Sequence, residues 1–251
     1  QDHGTWPTPD FIGNAHVSLE GLIRAGGAGD YWAKRVALMS PFIPLPTRGA
    51  TDTVQMIYQF TGFSELVTAN CALDGQMPAI PITNDVPAMS TFQINLKQRD
   101  PRFYSLVGQE VVMNPPSGGG GVTFPITFPV TFLAGSASSA VVFNSGNAYT
   151  SPVVVINGPC NDPTVSIARP DGSVEVWGLT GIYIPPGATV VADFKNRTIL
   201  QDGQFSLFRY KSPQAKWWQL WDGNNNVQFT ALNTDPTMTF CTLQWQNAYF
   251  F

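Results

Sequence analysis

Proton transfer, nucleophilic attack and metal binding draw first on histidine, cysteine and carboxylate side chains, and this sequence supplies two, three and 17 of them. His3 and His16 both stand near the start, so a Ser-His-Asp or Cys-His arrangement has almost no supply of base and a histidine-rich metal site is excluded. Cys71, Cys160 and Cys241 are far apart and odd in number, which fits buried small hydrophobes in a reducing compartment better than a disulfide framework or a zinc site. Asp162, Asp171, Glu175 and Asp193 are the acids that could pair across a sheet face, as glycoside hydrolysis requires. The competing reading gives Asp162 and Asp171 to turns and Glu175 to a solvent face. "SGGGG" lacks the Lys-Ser or Lys-Thr that would hold phosphate and magnesium, and no Gly-x-Gly-x-x-Gly follows a strand. No catalytic, cofactor-binding or metal-binding residue is assigned, and the chain is read as a non-enzyme.

The remaining chemistry is aromatic. "KWWQLW" carries Trp217, Trp218 and Trp221, a set that could stack on a sugar ring. Strand alternation points one of Trp217 and Trp218 inward and the other outward, so a packing role ranks above sugar binding. "NRT" at Asn196 is formally a glycosylation triplet and says nothing without a secretory context.

The composition narrows the class further. Charged residues make up 12% of the 251, about half of the usual share, while hydrophobic residues reach 43% with 17 Phe, 7 Trp and 7 Tyr. So little charge implies that much of the surface lies against other copies or other proteins. The formal net charge of -4, with no basic stripe, argues against stable binding to nucleic acid or anionic membrane. No apolar run approaches the ~20 residues that span a bilayer. The opening "QDHGTW" reads as the continuation of a longer chain.

The elements that must position these residues are almost all strands. "AHVSLEGLIRA", residues 15 to 25, alternates with a disturbance expected near Gly21. Asp30 is placed to cap one helix, Tyr31 to Ser40, with Trp32, Val36 and Met39 on one face and Pro41 ending it. "VQMIYQF", Glu65 to Leu73 and Ala88 to Lys97 follow as strands, and the chain turns at Asp100-Pro101. "PPSGGGG" is a loop or linker. Beyond it strands are expected at 122–132, 140–144, 152–157, 163–168, 173–179, 188–193, 197–201, 204–209, 216–220, 226–231 and 238–246. Pro170-Asp171-Gly172, Pro185-Pro186-Gly187 and Asp222-Gly223 supply turns. So many short strands at close spacing indicate a sandwich.

Several of these stretches resemble one family. "NSGNAYTSPVVVINGPCNDPTVSI", "GLTGIYIPPGATVVADFKNRTILQDG" and "WWQLWDGNNNVQFTA" are similar to the C-terminal domain of the distal tail proteins, or minor tail proteins, of long-tailed, siphovirus-like bacteriophages. The similarity rests on Asn147, Pro152, Gly158, Pro159, Asn161, Pro163, Asp193, Arg197, Trp218, Leu220, Gly223 and Asn225. Within "QRDPRFYS", Asp100, Pro101, Arg102 and Tyr104 resemble the family's Asp-Pro-Arg-x-Tyr element. The linker-like "PPSGGGG" and the richness in Phe and Pro depart from the pattern.

The resemblance implies an all-β fold with one short helix: an N-terminal ring-forming β domain at 1–114, a glycine-rich linker at 115–121 and a C-terminal galectin-like β-sandwich at 122–251. It implies a structural virion protein at the tail tip, assembled in the host bacterial cytoplasm, whose sixfold ring joins the tail tube to the tip or baseplate. The partners would be further copies of the chain, the tube protein, the tip or baseplate hub protein and the tape measure protein. A carbohydrate-binding host-recognition module is the rival reading, and a tube or baseplate hub subunit a third. Asp100, Arg102 and Tyr104 are singled out as a subunit contact or a lock on the turn. No cofactor is implied.

Overall fold

Alternating apolar side chains give the N-terminal part of the chain its strands, and their pairing gives one antiparallel sheet. The computed structural model describes residues 15–42, 53–74, 89–115, 138–169 and 171–251. The chain divides into two compact units, Gln1–Leu106 with Phe251, and Val107–Phe250. His3, Pro170, residues 116–121 of the expected linker and the expected strand 122–132 lie outside the described residues.

The first unit contains β1 (Ala15–Arg24), β2 (Val54–Tyr58), β3 (Val67–Leu73), β4 (Met89–Gln98) and β5 (Phe103–Ser105). β1 pairs with β4 along its full length, β4 and β5 share one edge of β3, and β2 takes the other edge. Val17, Leu19 and Ile23 face the interior with Ile94 and Leu96, while the intervening residues face outward. The disturbance expected at Gly21 is absent. Gly21 pairs with Phe92 in unbroken register, and a Cβ built there would lie 2.5 Å from Phe92 Cζ, so glycine makes room for a phenyl ring laid over the strand.

The single described α-helix, α1 (Ala28–Met39), corrects two expectations. Gly27 stands at the N-cap, and Asp30 sits inside the first turn, where its carboxylate accepts from Lys34 Nζ and from the Gly26 N–H, both at 2.9 Å. An acid there is favoured by the positive end of the helix and by its i,i+4 lysine. The inner face is formed by Tyr31, 3% exposed, with Leu38 and Met39, whereas Trp32 and Val36 are 47% and 62% exposed. Tyr31 rather than Trp32 meets Ile23; neighbouring side chains point about 100° apart around the axis, so only one of the two can face inward. After Met39 the chain tightens into a 3-10 turn, Ser40–Phe42, around Pro41.

The second unit holds β6 (Gln109–Met113), β7 (Ser139–Asn144), β8 (Val153–Asn157), β9 (Cys160–Ala168), β10 (Val174–Gly178), β11 (Tyr183–Ile184), β12 (Thr189–Asp193), β13 (Thr198–Gln201), β14 (Phe205–Ser206), β15 (Gly223–Leu232), β16 (Phe240–Trp245) and β17 (Ala248–Tyr249). One sheet runs β10-β9-β15-β7, with β11 also on β9; the other runs β14-β13-β12-β8-β16-β6. Inward residues of both, among them Val154, Ile156, Val165, Ile167, Trp177, Val190, Phe229 and Leu243, form one core. At the end of β8, Gly158 and Pro159 pass the chain from one sheet to the other. A Cβ at Gly158 would fall 2.3 Å from Pro185 O, so no side chain fits.

Three features differ from expectation. β6 precedes the expected linker yet pairs with β16 inside this unit. β9 starts at Cys160, because Asp162 at φ 46 takes up the irregularity of "PCNDP" within the strand. Residues 216–220 are not a strand: the segment is irregular, held by the Lys216 N–H on Val176 O of β10 at 2.8 Å and by an isolated bridge between Leu220 and Thr150.

Candidate functional site

Where β4 passes into β5, Gln98 faces Cys71 and Tyr104 faces Thr68, so the five residues 99–103 stand against only Asn70 and Ala69. Such an excess must leave the ladder, and here it bulges around Asp100-Pro101-Arg102. The three residues singled out from sequence come together in it. Asp100 Oδ1 accepts from Arg102 Nε at 2.7 Å, and Oδ2 accepts from Arg102 Nη2 at 3.0 Å and from Tyr104 OH at 2.6 Å. The Arg102 guanidinium also stands 5.6 Å from the centre of the Tyr104 ring. From below, wholly buried Gln98 donates through Nε2 to Arg102 O at 2.9 Å. A carboxylate engaged this way is a fixed acceptor and a poor general base. The arrangement has the chemistry of a brace.

The tryptophans occupy three different environments. Trp218, 2% exposed, lies in the core with its ring 4.7 Å from Phe194 and donates through Nε1 to Val165 O at 3.4 Å. Trp217 is half-buried against Phe194 and Trp177, at 5.1 and 6.0 Å. Trp221 is 46% exposed, but the Arg169 guanidinium sits 4.6 Å from its ring centre. Arg169 is itself held by Glu175 through Nε at 3.1 Å and donates to Gln219 O at 2.8 Å. No shared platform for a sugar ring results.

Each of the four candidate acids has local work. Asp162 accepts from the Ile182 N–H at 3.1 Å, and Asp171 from the Ser173 N–H at 2.8 Å. Glu175 is paired with Arg169, and Asp193 accepts from the N–H groups of Lys195 and Asn196 at 2.8 and 2.9 Å. Hydrogen bonds from Ser173 hold the Asp171 carboxyl below its ordinary value, the opposite of what a general acid requires. Cys71, Cys160 and Cys241 are free and buried. Among the described residues no group of three His, Cys, Asp or Glu side chains is placed to hold a metal ion, and no helix is long and apolar enough to cross a membrane.

Sequence reasoning missed two assemblies. Asn144 donates to Ala148 O at 2.8 Å and accepts from the N–H groups of Gly146 and Ala248, while Asn225 accepts from the Trp221 N–H and donates to Trp221 O, both at 2.9 Å. Asparagine inside a strand was the available signal. In the first unit, Phe251 packs 4.5 Å from Phe60 and 5.5 Å from Phe103, with Tyr58 beside both. Nothing in local sequence links residue 251 to these rings.

No protein-family model matches the chain, and no curated protein matches it. Among solved structures, the fold is similar to the crystal structure of the Dit protein (gp 19.1) of phage SPP1, presented as a paradigm of the hub adsorption apparatus in phages that infect Gram-positive bacteria. The TM-score is 0.61 at 10% identity, covering 98% of this chain and 83% of that one. A chain of the phage P2 baseplate, in its activated conformation with Ca, matches with a TM-score of 0.46 at 10% identity over 92% of this chain and 78% of that chain. The likeness to the SPP1 protein shows a shared fold at 10% sequence identity, and nothing beyond the fold.

Proposed function

We propose that this chain is a structural protein of a phage tail tip, forming a closed ring between the tail tube and the tip or baseplate. The observation that carries the reading is the likeness in fold to the SPP1 Dit protein across 98% of the chain. On this reading the second unit corresponds to the galectin-like domain implied by the sequence resemblance, and the partners are the tube protein, the hub or tip protein and the tape measure protein. The mechanism is geometric: the chain supplies a surface of fixed symmetry rather than a reaction.

Physical features of the first unit support assembly there. β1 and β2 are the two outer strands of its sheet, and among the described residues each is paired on one edge only. An open edge is a ready template for another strand. The two edges differ, so copies joined edge to edge meet head to tail, the kind of contact that closes into rings. Ile57 on β2 is 55% exposed, and Trp32 and Val36 present apolar surface on the outer side of α1. With charged residues at 12%, few of these surfaces would bury an unpaired charge.

Electron microscopy and light scattering on the full chain test the proposal. Closed rings of about six copies are expected, because the last subunit to join gains two contacts. A particle that stays monomeric at every concentration, with no ring in the presence of tube protein, would overturn it.

A further inference from the structure

β15 begins with Gly223 and then carries three consecutive asparagines, Asn224, Asn225 and Asn226, with Gln228 two residues on. Asparagine is poorly suited to a pleated strand, and three in a row need a reason. For Asn225 the reason is on the inner side: its amide is spent on Trp221 and Gly223. Asn224 and Asn226 face the other way, are exposed, and make no side-chain hydrogen bond among the described residues. A local preference broken without a structural return marks a site of use.

The surroundings specify that use. β15 is paired with β7 at Asn224 and with both β7 and β9 at Asn226, so its backbone is held in the sheet and the two amides stand roughly 7 Å apart on one face. Directly across the ladder, Phe143 faces Asn224 and Val141 faces Asn226, and these are 56% and 63% exposed. On the other side Ala168 faces Asn226 and Ser166 faces Gln228. The outward residues of β7, of β15 from Asn224 to Thr230, and of β9 from Thr164 to Ala168 include no acid and no base.

We propose that the outer face of β15 and β7 around Asn224, Asn226 and Phe143 binds a neutral saccharide. Each free amide offers a donor and an acceptor side by side, the complement of adjacent sugar hydroxyls. The exposed phenyl ring offers an apolar surface to the C–H face of a pyranose. With no cation on the face, an anionic glycan or a phosphate gains nothing there, and with no anion a basic ligand gains nothing either. The site is separate from the tryptophans of 217–221, where Arg169 already occupies the face of Trp221. It stands whether or not the chain assembles into a ring.

The test is binding of the labelled full chain to an array of neutral and anionic oligosaccharides, followed by calorimetric titration with the strongest neutral one. Saturable binding to a neutral saccharide is expected, weakened about tenfold or more by Asn226→Ala, by Phe143→Ala and by the near-isosteric Asn226→Asp. These exposed substitutions should leave the melting temperature unchanged. Trp221→Ala should retain the binding. The proposal is overturned if no neutral saccharide binds, if only anionic ones do, or if binding survives all three substitutions. It is equally overturned if those substitutions change only the mass of the assembled particle, which would make the face a protein contact.

Discussion

Arg102 grips Asp100 through two parallel bonds, Nε to Oδ1 at 2.7 Å and Nη2 to Oδ2 at 3.0 Å, inside a bulge that has left its ladder. The two side chains are 13% and 26% exposed, so solvent screens the pair only in part. Arg102→Lys keeps the charge and loses the fork, and should cost about 1 kcal/mol. Asp100→Ala leaves the guanidinium without its carboxylate and should cost about 2–3 kcal/mol. Thermal unfolding measures both. Light scattering separates the two roles: a brace lowers the melting temperature of an intact particle, whereas a subunit contact lowers particle mass at an unchanged melting temperature.

Trp218 and Trp221 lie three residues apart and should behave oppositely. Trp218→Ala empties a core site against Phe194 and is expected to cost about 3–5 kcal/mol in a urea titration. Trp221→Ala removes an exposed ring and its contact with Arg169, expected at about 0.5–1 kcal/mol. Equal losses would contradict the assigned burial.

Strands with strict alternation were legible in the sequence because one buried face forces a period of two. β4, with Phe92, Ile94 and Leu96 inward, is the plainest case. What escaped depended on partners distant in sequence. β6 was missed because it is recognisable only by its pairing with β16, more than a hundred residues later. Gly21 was misread because a glycine that signals a bulge and one that clears space for a cross-strand ring look alike until Phe92 is seen beside it. The helix face turned on which aromatic, Tyr31 or Trp32, meets Ile23: adjacent residues point about 100° apart, and only the packing partner, distant in sequence, decides which side is buried. Asp100, Arg102 and Tyr104 were singled out through the resemblance, and their side chains meet because the members sit within five residues of one turn.

Gly146 should tolerate no side chain. A Cβ there would lie 1.7 Å from Ala248 O, against backbone that cannot rotate away as a side chain would. Gly146→Ala should therefore displace the segment carrying β17 and cost about 1–3 kcal/mol or more. The accompanying sign is faster hydrogen exchange at the Ala248 and Phe250 amides, which bond to Asn144 and Asn147.

Acid should loosen two turns before it unfolds the strands. Hydrogen bonds from Ser173 hold Asp171, and those from Thr237 hold Asp235, below the ordinary carboxyl value of 3.8. A depressed folded pKa contributes stability that is present above that ordinary value and is lost as pH falls through the depressed one. Carbon-detected NMR titration should find both carboxyls titrating below 3.8, and Thr237→Ala should move Asp235 upward. A normal midpoint for Asp235 in the unsubstituted chain would contradict the turn geometry.

The thiols should be silent in the native chain and set its upper pH limit. Burial pushes Cys160 up to about 11 and raises Cys241 further, with neighbouring Cys160 adding to the shift; burial also raises Cys71. The thiolate is the reactive form, so at pH 9 only about one Cys160 in a hundred would be ionised even if a reagent could reach it. A disulfide reagent at pH 8 should label none of the three cysteines in the folded chain and all three in denaturant. The same shifts carry a stability consequence. A thiol whose folded pKa lies above its unfolded value, about 8.5, holds its proton more tightly when folded, so its contribution is complete below that value and is lost as pH rises toward 11. Denaturant titrations from pH 7 to 11 should therefore show stability falling above about pH 8.5, and Cys160→Ala with Cys241→Ala should flatten that fall. A fall of the same steepness in the doubly substituted chain would assign it to other groups and remove the buried thiols from the account.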